Sequence, residues 1–369
     1  MGAKPGLYLG LMSGTSLDGV DAALVETDGE RLARPGAALT LPYDDALRAR
    51  LRALLDRAER LAHDDAELAE AERALTDRHA EAVAALLGAA GVAAGGIVAL
   101  GFHGQTILHR PERGLTWQIG DASRLARATG IPVVHDFRSA DVAAGGQGAP
   151  LAPLWHAALA EGLARPLAVL NLGGVGNVTW IGADRAVIAC DTGPGNGPLD
   201  DWVSARAGVP FDEGGRIAAA GTVAVAVLAR LMAHPFFAAP PPKSLDRLDF
   251  AAAIAASGLT VLPVADGAAT LAAFTAAAVA AIRAHLPEPP LRWLVTGGGR
   301  HNTAIMTALR AALGVAVEPV EAVGWNGDAL EAQAFAYLAA RSLRGLPLSL
   351  PTTTGAPRPM PGGRLVRPE

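Results

Sequence analysis

Residues 9–21 read Leu-Gly-Leu-Met-Ser-Gly-Thr-Ser-Leu-Asp-Gly-Val-Asp, and they constrain the fold more than any other stretch. An apolar run leads into a tight polar turn, and a second apolar run follows over residues 20–25. That order predicts a strand, a turn and a return strand. The turn holds Gly14, Thr15, Ser16, Leu17, Asp18 and Gly19, with Val20 and Asp21 opening the return strand. Small residues let backbone N–H groups and hydroxyls close on an anion. Asp18, on the same turn, can hold a metal ion through water beside that anion. A glycine-rich hairpin with no ligand is the plainer reading of the same residues.

Composition removes several classes of function. The 369 residues are 51% hydrophobic, enough for two domains. A net charge of −5 gives no reason to expect a nucleic-acid partner. Of 31 basic Lys and Arg residues only Lys4 and Lys243 are lysines. The single Cys190 excludes an internal disulfide framework and a cysteine-based zinc site, and it fits a reduced cytoplasm. Asp18 and Asp21 come too early for a secretory leader. Residues 261–282 come nearest to a membrane span, but Pro263, Asp266 and Gly267 interrupt them, so a loop and a buried alanine-rich helix are expected and no membrane. Neither lysine lies in a Gly-Lys-Ser/Thr loop. Residues 174–179 carry two glycines of the dinucleotide pattern but end in Thr179, with a strand expected next.

Along the chain, residues 7–11 and 20–27 read as paired strands. Leu47, Leu51, Leu54, Ala58 and Leu61 recur at helical spacing, and a second amphipathic helix is expected from Asp65 to Gly88. Residues 97–102 form an apolar strand ending in the polar turn His103-Gly104-Gln105-Thr106, where α/β sheets place ligands. Near residue 130 the pattern restarts: residues 167–172, 177–181, 187–190 and 293–296 read as strands. Residues 328–343 predict a long terminal helix, and the tail from Pro351 reads as extended.

Three further motifs carry chemistry, each with a structural alternative. Asn171, Gly173 and Gly174 end a buried strand and allow a second close approach of backbone to anion, or simply a hairpin. Asp191, in Asp-Thr-Gly-Pro-Gly-Asn, is placed at a strand end and suits a general base, or a turn cap. Gly297, Gly298 and Gly299 between a strand and a helix let an adenosine lie on the backbone, while Asn302 caps the next helix. Glu331, three residues after Asp328, reads as a helix first-turn residue that suits the dipole.

The stretch from Gly10 to Asp21 resembles the anhydro-N-acetylmuramic acid kinases of bacterial cell-wall recycling, within the sugar kinase, heat-shock ATPase and actin superfamily. The glycine loops, His103 to Thr106, residues 136–151, the Asp191 hexapeptide, residues 324–336 and residues 353–359 continue it to Gly363. Phe102 departs from the Ser of many relatives and leaves His103 and Gln105 intact.

The resemblance implies an α/β fold of two lobes, of sugar kinase and actin type, with a central ligand cleft. Residues 1–130 would form the first lobe, with residues 332–369 packed back on it, and 131–331 the second. It implies ATP and Mg²⁺ as cofactors, a small sugar substrate and a homodimer. Asp191 would be the base and Glu331 its support. The turn residues Gly14 to Asp21 with Asn171, Gly173, Gly174, Gly297, Gly298, Gly299 and Asn302 would bind ATP. His103, Gln105, Thr106, Arg138 and Gln147 would bind the sugar, with Arg138 suited to its carboxylate or else paired with Asp136 or Asp141. A kinase of a free sugar hydroxyl and a non-catalytic, actin-like nucleotide-gated protein stay open as alternatives.

Overall fold

The computed structural model describes residues 4–14, 16–245 and 249–369. Its strands are β1 (Gly6–Ser13), β2 (Gly19–Thr27), β3 (Ala33–Pro42), β4 (Ile97–Arg110), β5 (Leu115–Ile119), β6 (Val133–His135), β7 (Leu167–Leu172), β8 (Val175–Ile181), β9 (Val187–Pro194), β10 (Arg292–Thr296), β11 (Ala316–Pro319) and β12 (Arg364–Val366). They form two sheets, ordered β12-β6-β4-β1-β2-β3 with β5 on β4, and β11-β10-β7-β8-β9. Each sheet contains one plan. An antiparallel meander, β1-β2-β3 or β7-β8-β9, gains two parallel neighbours beside its first strand, β4 and β6 or β10 and β11. The duplication that the sequence only hints at is therefore explicit in the strand order.

The chain divides into two compact units, Met1–Gly162 with Asp328–Glu369, and Leu163–Gly327. The break thus falls later than residue 130. The apolar pair Val133-Val134 that marks a restart in sequence is β6, and it extends the first sheet through Leu100↔Val133 and Gly101↔Val134. The second meander begins only at β7.

In the first unit the helices Asp45–Asp56 and Ala66–Ala90 start at Asp44 and Asp65, whose carboxylates accept from Leu47 N (2.7 Å) and from Glu67 N and Leu68 N (2.9 and 3.1 Å). The terminal helix, Leu330–Leu343, lies on β1 and β4. Gly10 and Gly101, neighbours in register, permit this: a Cβ on them would sit 1.8 Å from Ala332 O and 2.0 Å from Phe335 O. The tail is not merely extended. Residues Pro351–Thr354 form a helical turn, and β12 pairs antiparallel with β6. In the second unit, the helical stretch Val264–His285 is long and apolar enough to cross a membrane, with an 18-residue window of mean hydropathy 1.6, but 67% of that window is buried. Leu271, Phe274 and Val279 place it in the unit's core.

Candidate active site

In the first unit the β1–β2 turn is closed by Leu17 N donating to Gly14 O at 3.2 Å, with Leu17 at φ +55°. Thr15 lies outside the described residues. Asp18 is exposed, and its Oδ1 accepts from Ser16 Oγ (2.8 Å) and Gly19 N (3.1 Å). Val20 is buried in the sheet. Asp21 accepts from Thr40 Oγ1 at 2.5 Å. Burial pushes its carboxyl up to about 6, against that bond, and the charges of Asp18, Glu331 and Asp328 add to the rise. Among the described residues no three His, Cys, Asp or Glu side chains are grouped to hold a metal ion. One exposed carboxylate amid surplus negative charge fits Mg²⁺, which keeps waters and is held largely by phosphate oxygens.

The residues read as sugar ligands separate into two kinds. Gln105 is fully buried, and its Oε1 accepts from Ser13 Oγ at 2.5 Å. Ser13 also meets Tyr43 OH at 2.5 Å, so this chain of bonds ties the end of β1 to β4. Thr106 accepts from Gln118 Nε2 at 3.2 Å. His103 to Thr106 is no terminal turn: β4 runs straight through it, because β5 pairs with Gln105 and beyond. Phe102, the departure from the family pattern, packs its buried ring edge-on against His79 at 4.9 Å.

His103 and Arg138 form a unit. Arg138 Nε donates to His103 Nε2 at 3.0 Å, and NH1 donates to Gly148 O at 2.7 Å. Arginine has no acceptor, so Nε2 carries the lone pair and Nδ1–H donates to Gly104 O, 2.8 Å away. Burial, then the Arg138 charge, hold His103 well below its ordinary range, so it is neutral. Arg138 itself is pushed down to about 10 by burial and stays charged, with Glu331 the first of the opposing charges. The ion pairs considered for Arg138 from sequence do not form. Asp136 pairs with Arg364 at 3.0 Å, and Asp141 accepts from Thr354 Oγ1 (2.7 Å), Gly148 N (2.7 Å) and Ser349 Oγ. The far edge of the Arg138 guanidinium meets no hydrogen-bond partner among the described residues. Gln147 is held through its N–H, which donates to Thr354 O at 2.6 Å. Glu331 is exposed in the first turn of the terminal helix, whose start is Leu330 with Ala329 rather than Asp328 as cap.

In the second unit three glycine-bearing loops converge. Asn196 N donates to Gly173 O (2.7 Å), and Gly195 N and Gly197 N donate to Gly174 O (3.0 and 3.2 Å). A Cβ on Gly297, at φ +75°, would lie 2.4 Å from Asn171 Oδ1. One on Gly299 would lie 2.5 Å from Leu172 Cβ, while Gly298 has only Asn196 Nδ2 nearby, 3.6 Å from such an atom. Asn196, which sequence reading did not single out, donates through Nδ2 to Leu172 O at 3.1 Å, and its Oδ1 has no partner among the described residues. Asn302 is buried as a helix cap, accepting from Ile305 N at 3.0 Å and donating to Asp212 O at 3.4 Å.

Asp191 lies within β9, not at its end, because β9 continues to Pro194 past a bulge opposite Gly176 and Asn177. Its N–H donates to Lys243 O (2.9 Å), and its Oδ2 accepts from Leu245 N (2.7 Å). Its Oδ1 accepts nothing from the described residues. Burial pushes Asp191 up to about 7, opposed by the Leu245 bond and the Lys243 charge. Such a carboxylate is at once oriented and basic near neutral pH. Lys243, whose carbonyl accepts from Asp191 N, is a further residue of this site that the motifs did not assign. Its rarity in so arginine-rich a chain was the available signal.

The arrangement is that of an α/β protein with a duplicated sheet plan, an anion-suited hairpin and a strand-borne carboxylate. The chain belongs to the anhydro-N-acetylmuramic acid kinase family, whose model matches residues 6–367. The anhydro-N-acetylmuramic acid kinase of Acidiphilium cryptum is 65% identical over 360 residues, covering 98% of each chain. That of Rhodospirillum rubrum is 59% identical, covering 96% of this chain and 92% of the relative. Among solved structures, component A of (R)-2-hydroxyglutaryl-CoA dehydratase from Acidaminococcus fermentans aligns with a TM-score of 0.48 at 13% identity, over 91% of this chain and 99% of that one.

Proposed function

We propose that this kinase, an enzyme of peptidoglycan recycling, uses ATP and water to convert 1,6-anhydro-N-acetylmuramic acid into N-acetylmuramic acid 6-phosphate and ADP. The observation that carries the reading is Asp191: one oxygen tethered by Leu245 N, the other open, and a proton affinity raised by burial to about 7. The sugar's 6-oxygen is locked in an ether and has no proton to give up. Asp191 therefore takes a proton from water as the water oxygen bonds to the anomeric carbon. The bond from that carbon to the 6-oxygen breaks, and the freed oxygen takes the γ-phosphoryl group from ATP.

Backbone N–H groups of the β1–β2 turn meet the phosphates, and Asp18 is the residue that would hold Mg²⁺ through water, which would supply positive charge beside the phosphates. Asn171, Gly173, Gly174 and Gly297 to Gly299 take the rest of the nucleotide, with Asn302 supporting the last loop as a cap. The free edge of Arg138 receives the sugar's carboxylate. His103 orients that arginine, Gln105 and Thr106 hold β4, Gln147 is a further ligand of the sugar, and Glu331 supports the base. The reduced thiol of the buried Cys190 suits a cytoplasmic enzyme, and a homodimer follows from the family resemblance, to be read by light scattering.

The test uses ¹⁸O-labelled water. The heavy oxygen is expected at the anomeric carbon and not in the phosphate. Asp191→Asn keeps the shape and removes the base, so the rate should fall by roughly 10² to 10⁴ with little change in ATP affinity. A product without heavy oxygen at the anomeric carbon or in the phosphate would favour a kinase of a free hydroxyl, label in the phosphate would mean that water attacks the phosphoryl group itself, and near wild-type turnover of the variant would remove Asp191 as the base.

A further inference from the structure

The tail from Ser349 onward is built into the segment that carries Arg138. Asp141 is 2% exposed, and its Oδ2 accepts from Thr354 Oγ1 at 2.7 Å and from Ser349 Oγ, both residues themselves buried. Its Oδ1 accepts from Gly148 N at 2.7 Å, and Gly148 O in turn accepts from Arg138 NH1 at 2.7 Å. Beside this chain of bonds, Gln147 N donates to Thr354 O at 2.6 Å. The loop lies so close on the carboxylate that a Cβ on Gly146 would sit 2.2 Å from Asp141 Oδ1. The tail is anchored beyond this point as well: Ser349 bridges Met360, Arg364 pairs with Asp136, and β12 pairs with β6. Residues 136–151 and 353–359, two separate stretches of the sequence, thus meet at one buried carboxylate.

We propose that the tail turn Pro351–Thr354, acting through Asp141, positions Arg138 for the sugar's lactyl carboxylate and so sets the preference for a charged sugar over a neutral one. A guanidinium is a rigid plane. Held at Nε by His103 Nε2 and at NH1 by Gly148 O, it can neither tilt nor turn, and its remaining edge has one direction. The His103 end is supplied by β4, whereas the Gly148 end depends on Asp141. A carboxylate buried this deeply requires its donors. Without the Thr354 or Ser349 hydroxyl it must turn toward another donor, and Gly148 follows its N–H. Thr354 and Asp141 are therefore positioning residues: they touch Arg138 only through Gly148.

The inference rests on Arg138 being the carboxylate's ligand, and the experiment separates the two. Steady-state kinetics are measured with 1,6-anhydro-N-acetylmuramic acid and with the same sugar carrying its lactyl carboxylate as the neutral amide. The enzymes are wild type, Thr354→Val, Thr354→Ser, Ser349→Ala and Arg138→Met. Valine keeps the buried shape of threonine and removes the O–H. For Thr354→Val and Ser349→Ala the KM of the charged sugar should rise roughly tenfold, the size of one charge-assisted hydrogen bond lost. The kcat, the KM of ATP and the KM of the amide should change little, so the preference for charge falls by the same factor. Thr354→Ser, which keeps the hydroxyl, should restore it, and Arg138→Met should abolish it. Circular dichroism and the melting temperature verify that each variant is folded. Folded Thr354→Val and Ser349→Ala enzymes that keep the wild-type preference, or that lose kcat alike with both sugars, overturn the role of the tail while Arg138→Met has lost the preference. An Arg138→Met enzyme with the wild-type preference overturns the carboxylate reading instead.

Discussion

At the scale of single residues, the same side-chain types are divided between chemistry and construction by where their bonds go. Asp18 is exposed with its charge uncompensated, whereas Asp141 is buried and its carboxylate is consumed by Gly148, Ser349 and Thr354. Gln105 spends its carboxamide oxygen on Ser13, while Arg138 keeps an edge free. Asp18→Asn tests the distinction. Asparagine retains an oxygen to accept from Ser16 and Gly19, so the turn should persist, and only the charge is lost. Turnover should then require much more Mg²⁺, with sugar affinity little changed. A Mg²⁺ titration that matches wild type would remove Asp18 from the metal's surroundings.

Among the elements, the terminal helix depends on two glycines far from it in sequence. Its backbone rests directly on β1 and β4 at Gly10 and Gly101, where any side chain would strike Ala332 or Phe335. Gly101→Ala must lift the helix or bend β4, and overpacking of this kind costs about 3 kcal/mol. Urea denaturation should show that loss, and because Glu331 lies on this helix, activity should fall as well. A variant as stable as wild type would mean that the helix is seated loosely on the sheet.

For the molecule as a whole, acid acts oppositely on the two units. The first unit buries His79 and His156 and partly buries His109, each lowered to about 4, and it buries His103, held well below its ordinary value; the partly buried His135 is lowered as well, and burial is the first cause in every case. Unfolding returns them to about 6.5, so between those values the unfolded chain binds more protons and stability is lost as pH falls. Asp21, raised to about 6 in the folded state, works against this: its protonation favours the fold below that pH. The histidines outnumber the one carboxyl, so near pH 5 unfolding of this unit takes up protons and its stability falls as pH falls, by about 1.4 kcal/mol per pH unit for each net proton. In the second unit Asp191, raised to about 7, gains stability for the fold as pH falls toward 4. Hydrogen exchange at pH 7 and pH 5, corrected for intrinsic rates, should show protection lost first in Met1–Gly162 and Asp328–Glu369. Earlier loss in Leu163–Gly327 would contradict it.

Much of this was legible in the sequence because it is decided by neighbours along the chain. Apolar runs broken by Gly, Ser and Asp determine the β1–β2 hairpin, Asp65 and Asn302 cap the helices that follow them, and an alanine-rich apolar run becomes a buried helix. Those signals are local steric and hydrogen-bonding preferences, which need no partner from elsewhere. What remained hidden depends on partners that only folding supplies. Val133-Val134 joined the first sheet because β4 offered an edge, so the boundary moved past residue 130. Asp141 found Ser349 and Thr354 more than 200 positions away, which released Arg138. Asp191 acquired its orienting N–H from Leu245, 54 residues along. The sequence by itself determined which residues could bind an anion or act as a base. Tertiary structure decided which of them keep a free lone pair or N–H, because burial and long-range pairing consume the rest.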